Sequence, residues 1–156
     1  MTLADQKQKL WDGRFTEATD AFVESFTASI NFDQILADYD IEGSIAHARM
    51  LEKAGIISKA DLDIMLAGLG EIRQEIALNQ FEWSVQLEDV HMNIESALTA
   101  RIGELGKVLH TARSRNDQIA TDLRLYLRDQ IDLILQKVKQ LLSGILDLAE
   151  THTDTI

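Results

Sequence analysis

Apolar residues recur in alternating steps of four and three along one stretch of the chain: Leu127, Ile131, Ile134, Val138, Leu141, Ile145 and Leu148. That spacing is the seam of a helix packed in a left-handed bundle. Leu135, Leu142 and Leu146 widen the seam into a broad apolar face. At 1.5 Å per residue, a helix over about 116–150 would be roughly 50 Å long, whereas a compact globule of 156 residues is only about 40 Å across. The sequence therefore predicts a helix too long and too apolar to be covered by this chain. It would pack against equivalent helices of other subunits or against further chain. The alternative is a monomer whose helix is broken near Gly144.

The rest of the chain agrees with an all-α fold. It has no proline, where average usage of about 5% would place roughly eight. Helix interiors exclude proline at about 3 kcal/mol per site, whereas turn corners favour it. A short amphipathic helix is predicted over 16–26, with Phe22 and Phe26 four apart, before a polar loop at 27–31. A second helix over about 33–54 would bury Ile35, Leu36, Tyr39, Ile45 and Leu51 and stop at Gly55 in a left-handed cap. Ser58 with Asp61 forms a variant capping box, across which Ile57 can staple onto Leu62. The stripe Leu62, Met65, Leu66, Leu69, Ile72 and Ile76 follows, interrupted by the weakly unfavourable Gly68 and Gly70. Another helix over about 89–102 uses Ile94, Leu98 and Ile102, and a bend is predicted at Gly103 and Gly106. Residues 1–110 thus read as an N-terminal helical domain, and residues 111–156 as a turn and the first long helix of a bundle.

Fifteen basic and 26 acidic side chains give a net charge of −11, an unfavourable average field for nucleic acid or an anionic membrane. The absence of cysteine removes disulfide and thiolate chemistry. The polar start from Met1 to Lys9 lacks the apolar run of a signal peptide, so a cytoplasmic location is expected.

One segment opposes the global charge: His110-Thr111-Ala112-Arg113-Ser114-Arg115-Asn116-Asp117-Gln118. It sets two guanidinium groups, hydroxyls and amides on a turn leading into the positive end of the long helix. Those are the parts of a carboxylate or phosphate site. The same residues would also serve as a plain helix N-cap flanked by two solvated arginines. His91 and Glu95 are four apart on one helix face, a geometry that can bind a metal, but two ligands are too few for a site and none is expected. His47 and His110 are expected in or against the helical body.

The segment closely resembles the signature of the argininosuccinate lyase family, a branch of the fumarase/aspartase superfamily that includes the δ-crystallins. The resemblance extends along the chain: Leu10-Trp11-Asp12-Gly13-Arg14-Phe15, then Ser29 with Phe32-Asp33, then Glu88-Asp89-Val90-His91 with Glu95. Ser114, Asn116 and Asp117 match the superfamily, whereas Arg113, Arg115, Gln118 and Ala120-Thr121-Asp122 point to the argininosuccinate branch over fumarase, aspartase or adenylosuccinate lyase.

The resemblance implies reversible β-elimination of argininosuccinate to arginine and fumarate, without metal or organic cofactor, in a homotetramer whose active sites draw on three subunits. It assigns Ser29, Arg115 and Asn116 to a substrate carboxylate, and Arg113, Ser114, Asp117 and Gln118 to the shell that orients them. Asp89 and His91 would hold the arginine end or the site wall, or else be a helix N-cap and an exposed histidine. The family's general-acid histidine lies on Thr-His-x-Gln and its catalytic serine on a Gly-Ser-Ser loop, and neither motif occurs in these 156 residues. Thr151-His152-Thr153 lacks the surrounding Gly and Gln, so His152 is not assigned. The expectation is an N-terminal fragment, its catalytic residues lying beyond Ile156, inactive alone. The other readings are a δ-crystallin-like structural protein, a helical oligomerisation module, or another lyase of the superfamily.

Overall fold

A computed structural model of the chain describes residues 20–155. Among them every regular element is helical, as the missing prolines predict.

The chain enters through α1 (Ala21–Thr27), capped by the Asp20 side chain, which accepts from the Phe22 and Val23 amides. This helix buries none of its residues, and Phe22 and Phe26 stack on each other at 5.9 Å on the outside. The 16–19 part of the predicted first helix lies outside the described residues. The polar loop predicted for 27–31 is shorter than expected. The Ser29 and Ile30 amides both donate to the Glu88 carbonyl, at 2.9 and 3.1 Å, and this clamp starts α2 (Ile30–Asp33) with Ile30 buried.

A 3₁₀ turn over Gln34–Leu36 then feeds α3 (Ala37–Lys53). The tighter winding shifts the phase of the following helix. Ile35 is left 58% exposed, and the face turned inward is Ala37, Asp40, Ile41, Ser44, Ala48 and Leu51. Gly55 takes φ 73°, the predicted left-handed stop. The predicted capping box starts α4 (Lys59–Ala77): Ser58 Oγ accepts from the Asp61 amide at 3.1 Å while Asp61 Oδ2 accepts from the Ser58 amide at 3.0 Å.

Helix α5 (Val90–Ile102) is the central element, packed against α3, α4 and the short α6 (Glu104–Val108). Its contact with α4 explains Gly68, where a Cβ would stand 2.8 Å from Leu98 Cδ1. The two glycines predicted at the bend divide the work. Gly103 turns the chain at φ 69°, whereas Gly106 lies inside α6, where a Cβ would meet Thr99 Cα at 2.7 Å. Ile41, Leu51, Met65, Leu69, Ile72 and Leu98, all 0% exposed, form the centre of the core.

Helix α7 (Arg115–Thr151) runs for 37 residues, unbroken through Gly144, so the kinked alternative is not adopted. Its first turns lie against α3, and Gln118 and Asp122 are its buried residues. Twelve large apolar side chains between Leu123 and Leu148 remain 42–64% exposed. Burying one such side chain stabilises by about 1.5–3 kcal/mol, so the outer part of α7 is a large unsatisfied surface, as its seam predicts. No helix of the described residues is long and apolar enough to cross a membrane.

Candidate functional site

Three segments far apart in sequence meet at the start of α7. The first is the loop before α2. Ser29 Oγ donates to Asp33 Oδ2 at 2.6 Å, and Asp33 Oδ1 accepts from the Val90 amide at 3.2 Å. A carboxylate is favoured there because the first amides of α5 lack intrahelical acceptors.

The second segment is the approach to α5, where Glu88 adopts φ 66° and so turns its carbonyl toward Ser29 and Ile30. Asp89 Oδ1 caps α5 by accepting from the Met92 amide at 2.8 Å. Both oxygens of Asp89 also accept from Arg115 Nη1, each at 2.7 Å.

The third segment is the turn itself, set by Ala112 at φ 58° and by Ser114 Oγ, which accepts from the Asn116 amide at 3.2 Å. The arginines of this turn are not solvated, as the N-cap alternative would have them. Besides Asp89, Arg115 faces Glu95, whose Oε2 lies 3.6 Å from Nη2. Arg113 Nη1 donates to Ser44 Oγ at 3.0 Å. Ser114, Asn116 and Asp117 are exposed at the helix start, and Ser29 and Asp89 are half-buried.

Behind this rim lies a polar cluster that sequence reasoning missed. Asp40 of α3 and Asp122 of α7 are each 1% exposed, with His91 of α5 at 3% and Gln118 at 6%. His91 Nδ1 lies 2.9 Å from Asp40 Oδ1 and 3.5 Å from Asp122 Oδ2. The Gln118 side-chain amide also donates to Asp40 Oδ1. His91 is therefore a buried histidine, not the exposed one its alternative reading expected, and it faces Asp40 and Asp122 while Glu95 turns to Arg115 and His110. The available signal for Asp40 was its register: it shares the face of Ser44, Ala48 and Leu51. A lone acid on an apolar face requires a partner, and that partner comes from a helix about fifty residues away.

The electrostatics follow from burial. Burial alone would lower the His91 pKa, but the hydrogen bond and charge of Asp40, with Asp89 and Asp122, hold it above its ordinary value. Burial alone would raise Asp40, yet His91, Gln118 and Arg113 hold it below the usual carboxylate range. For Asp122 the charges of His91 and Arg113 pull the same way but are outweighed, and burial together with the adjacent Asp40 pushes it up to about 7. His47, expected against the helical body, stands there with Nε2 2.9 Å from the Thr111 carbonyl, and burial lowers its pKa.

A cleft of about 370 Å³ opens between α3 and the start of α7, lined by Gly43, His47, Arg113, Gln118, Thr121 and Asp122 among others. Asp40, His91 and Asp122 bring their ligand atoms within 4.8 Å of one another, close enough to surround a cation. Such an ion would have to break the His91–Asp40 and Gln118–Asp40 hydrogen bonds beside the Arg113 charge. The donor set suits internal pairing better than metal ligation.

Chemically, the rim offers an anion the Asn116 amide, the Arg115 guanidinium and the positive end of α7, and the Ser29 hydroxyl only if it turns from Asp33. The chain matches the lyase family over residues 13–156. It is 58% identical over its full length to the argininosuccinate lyase of Hahella chejuensis, covering 33% of that protein. It is 61% identical over 149 residues to the argininosuccinate lyase of Halorhodospira halophila, covering 96% of this chain and 32% of the relative. For the argininosuccinate lyase of Nitrosococcus oceani the identity is 62% over 148 residues, covering 95% and 32%. The chain spans about a third of the length of the curated relatives it matches.

Proposed function

The chain belongs to the lyase family, and from that premise we propose that the protein built on it is an argininosuccinate lyase, splitting argininosuccinate reversibly into arginine and fumarate. The observation that carries this is the convergence of Ser29, Asp89 and the turn Arg113–Gln118 in a chain about 60% identical to argininosuccinate lyases.

The reaction explains the residue types. Removing a proton from the carbon beside a carboxylate builds negative charge on that carboxylate, and the carbon–nitrogen bond then breaks to release the guanidino group of arginine. Donors already in place lower the barrier, because the charge they meet is largest in the transition state. Asn116 and Arg115 hold the substrate carboxylate, and Ser29 donates from the first loop once its hydroxyl turns from Asp33 to the ligand. Asp89 takes Nη1 of Arg115, whereas Nη2, at 3.6 Å from Glu95, is beyond hydrogen-bond distance and keeps its protons for a ligand. Arg113, Ser114, Asp117 and Gln118 orient the turn, and His91 backs it from within.

The general acid and the catalytic serine are supplied from outside these 156 residues, which contain neither Thr-His-x-Gln nor Gly-Ser-Ser. Residues 1–110 act as a helical domain, and α7 as the first helix of a bundle that assembles into a homotetramer through its exposed seam. The enzyme works in the cytoplasm, without cofactor.

Fumarate absorbance tests the proposal. A protein of the relatives' full length should produce fumarate from argininosuccinate, and the 156-residue chain should not. Arg115→Ala in the full-length protein should lower the rate by about 10²–10³ and leave the oligomeric state unchanged. Turnover by the short chain at a full-length rate, or an active Arg115→Ala enzyme, would sink these assignments.

A further inference from the structure

Asp40 and Asp122 are buried side by side, with a carboxylate oxygen of each within 4.8 Å of the other. The groups that face them come from each surrounding element: His91 from α5, Arg113 from the turn, and Gln118 one helical turn before Asp122 on α7. His47 of α3 lines the same cleft. The hydrogens of these groups are unevenly spread. His91 Nδ1 and the Gln118 amide both serve Asp40 Oδ1, and Arg113 Nη1 serves Ser44. Asp122 Oδ2 is buried without any hydrogen-bond partner. An ionised oxygen in that position is strongly disfavoured, whereas a proton placed on it makes it a donor toward Asp40.

We propose that Asp40 and Asp122 hold one proton between them at neutral pH, and that this shared proton fastens α7 to α3, making Asp122 a positioning residue for the turn that bears Arg115 and Asn116. The positioning half rests on the substrate role proposed for that turn; the shared proton does not. Gln118 and Asp122 are the buried residues of α7, so the pair sits where the helix is attached. Loss of the proton to solvent leaves two carboxylates within 4.8 Å of each other, only partly balanced by His91 and Arg113. The repulsion acts two helical turns from Arg115.

A carbon-13 NMR titration of the aspartate carboxyls in the 156-residue chain is the direct test. One carboxyl should titrate near neutrality, at least two pH units above the solvent-exposed aspartates, and its signal should disappear in Asp122→Asn. If all aspartates titrate below about pH 5 while the same sample keeps the dispersed amide spectrum of a folded chain, the shared proton is excluded, and that result needs no variant to fold. A chain that is unfolded alone is titrated in the full-length protein instead. Amide exchange in the first turns of α7, corrected for intrinsic rates, should quicken from pH 6 to 8.5 in the native chain and stay constant in Asp122→Asn. Exchange that quickens equally in both overturns the fastening role. In the full-length protein, Asp122→Asn should abolish a neutral-pH inflection in KM for argininosuccinate; an unchanged profile overturns the positioning half. A full-length protein that makes no fumarate overturns that half together with the functional proposal, and leaves the carboxyl titration to decide the proton.

Discussion

Asp89 caps α5 through the Met92 amide and also holds Arg115 through both carboxylate oxygens. Asparagine can keep the cap but not the charge. Asp89→Asn should therefore cost only about 1 kcal/mol of stability while lowering full-length activity at least tenfold. Asp89→Ala, which loses the cap as well, should cost about a further 1 kcal/mol. Urea melts beside fumarate assays check this; equal stability losses for the two variants would show that the cap and the ion pair are not separable. The buried cluster also sets a pH trend. His91 has a raised pKa, so its contribution is full below about pH 6.5 and is lost as pH rises through the folded-state value. Asp122, at about 7 in the fold, keeps a proton that the unfolded chain has released above about pH 4, so its contribution also falls from there to neutrality. Asp40, held low, acts in the opposite sense only in acid. The urea midpoint should thus be higher at pH 5.5 than at pH 8.5, and Asp122→Asn should narrow the difference. At this scale the rim was legible, because Arg113, Arg115 and Asn116 stand out against an acidic chain. Asp40 was not, because a buried acid announces itself only through a partner on another helix.

Individual helices were legible where the signal is local. The Ser58–Asp61 box, the Gly55 stop and the unbroken α7 each depend on residues within a few positions of one another. The register of α3 was not, because Glu88, more than fifty residues away, clamps Ser29 and Ile30 and so sets where the winding begins. Gly68 and Gly70 make the same point within one helix, since sequence reading treats them alike. A Cβ on Gly68 would press on Leu98 Cδ1 at 2.8 Å and Ile102 Cγ2 at 3.4 Å, whereas a Cβ on Gly70 meets nothing within 4 Å. Gly70→Ala should stabilise by about 0.5–1 kcal/mol. Gly68→Ala should destabilise by about 1–2 kcal/mol, because Leu98 is fully buried and has little room to yield. Thermal melts of the two variants should move in opposite directions; a shared direction would mean the α4–α5 contact is softer than its spacing indicates.

Taken whole, the molecule is a closed core of α2 to α6 with a helix extending beyond it. The exposed side chains on that helix include Ile134 at 59% and Leu141 at 64%. A contiguous apolar face of this size marks an interaction surface. Sedimentation of the chain should show association that strengthens with concentration. Ile134→Glu with Leu141→Glu should shift it toward monomer without altering the melt of the core; association unchanged by both substitutions would place the contact elsewhere.

The long helix is held over its first turns, by Gln118 and Asp122 inside and by Tyr39 of α3, which packs on Tyr126 and donates to Asp129 at 3.1 Å. From Asp129 to Thr151 it reaches about 33 Å at 1.5 Å per residue, so it works as a lever whose fulcrum is its contact with α3. A tilt of about 5° at the fulcrum would swing the far tip by roughly 3 Å over that reach. A packed seam could not tolerate such a swing, because facing side chains must interlock to within a fraction of their own width. The aim of the far end is thus set by a few side chains around Tyr39 and Asp40, and a change of one proton there would be read, magnified, about three nanometres away.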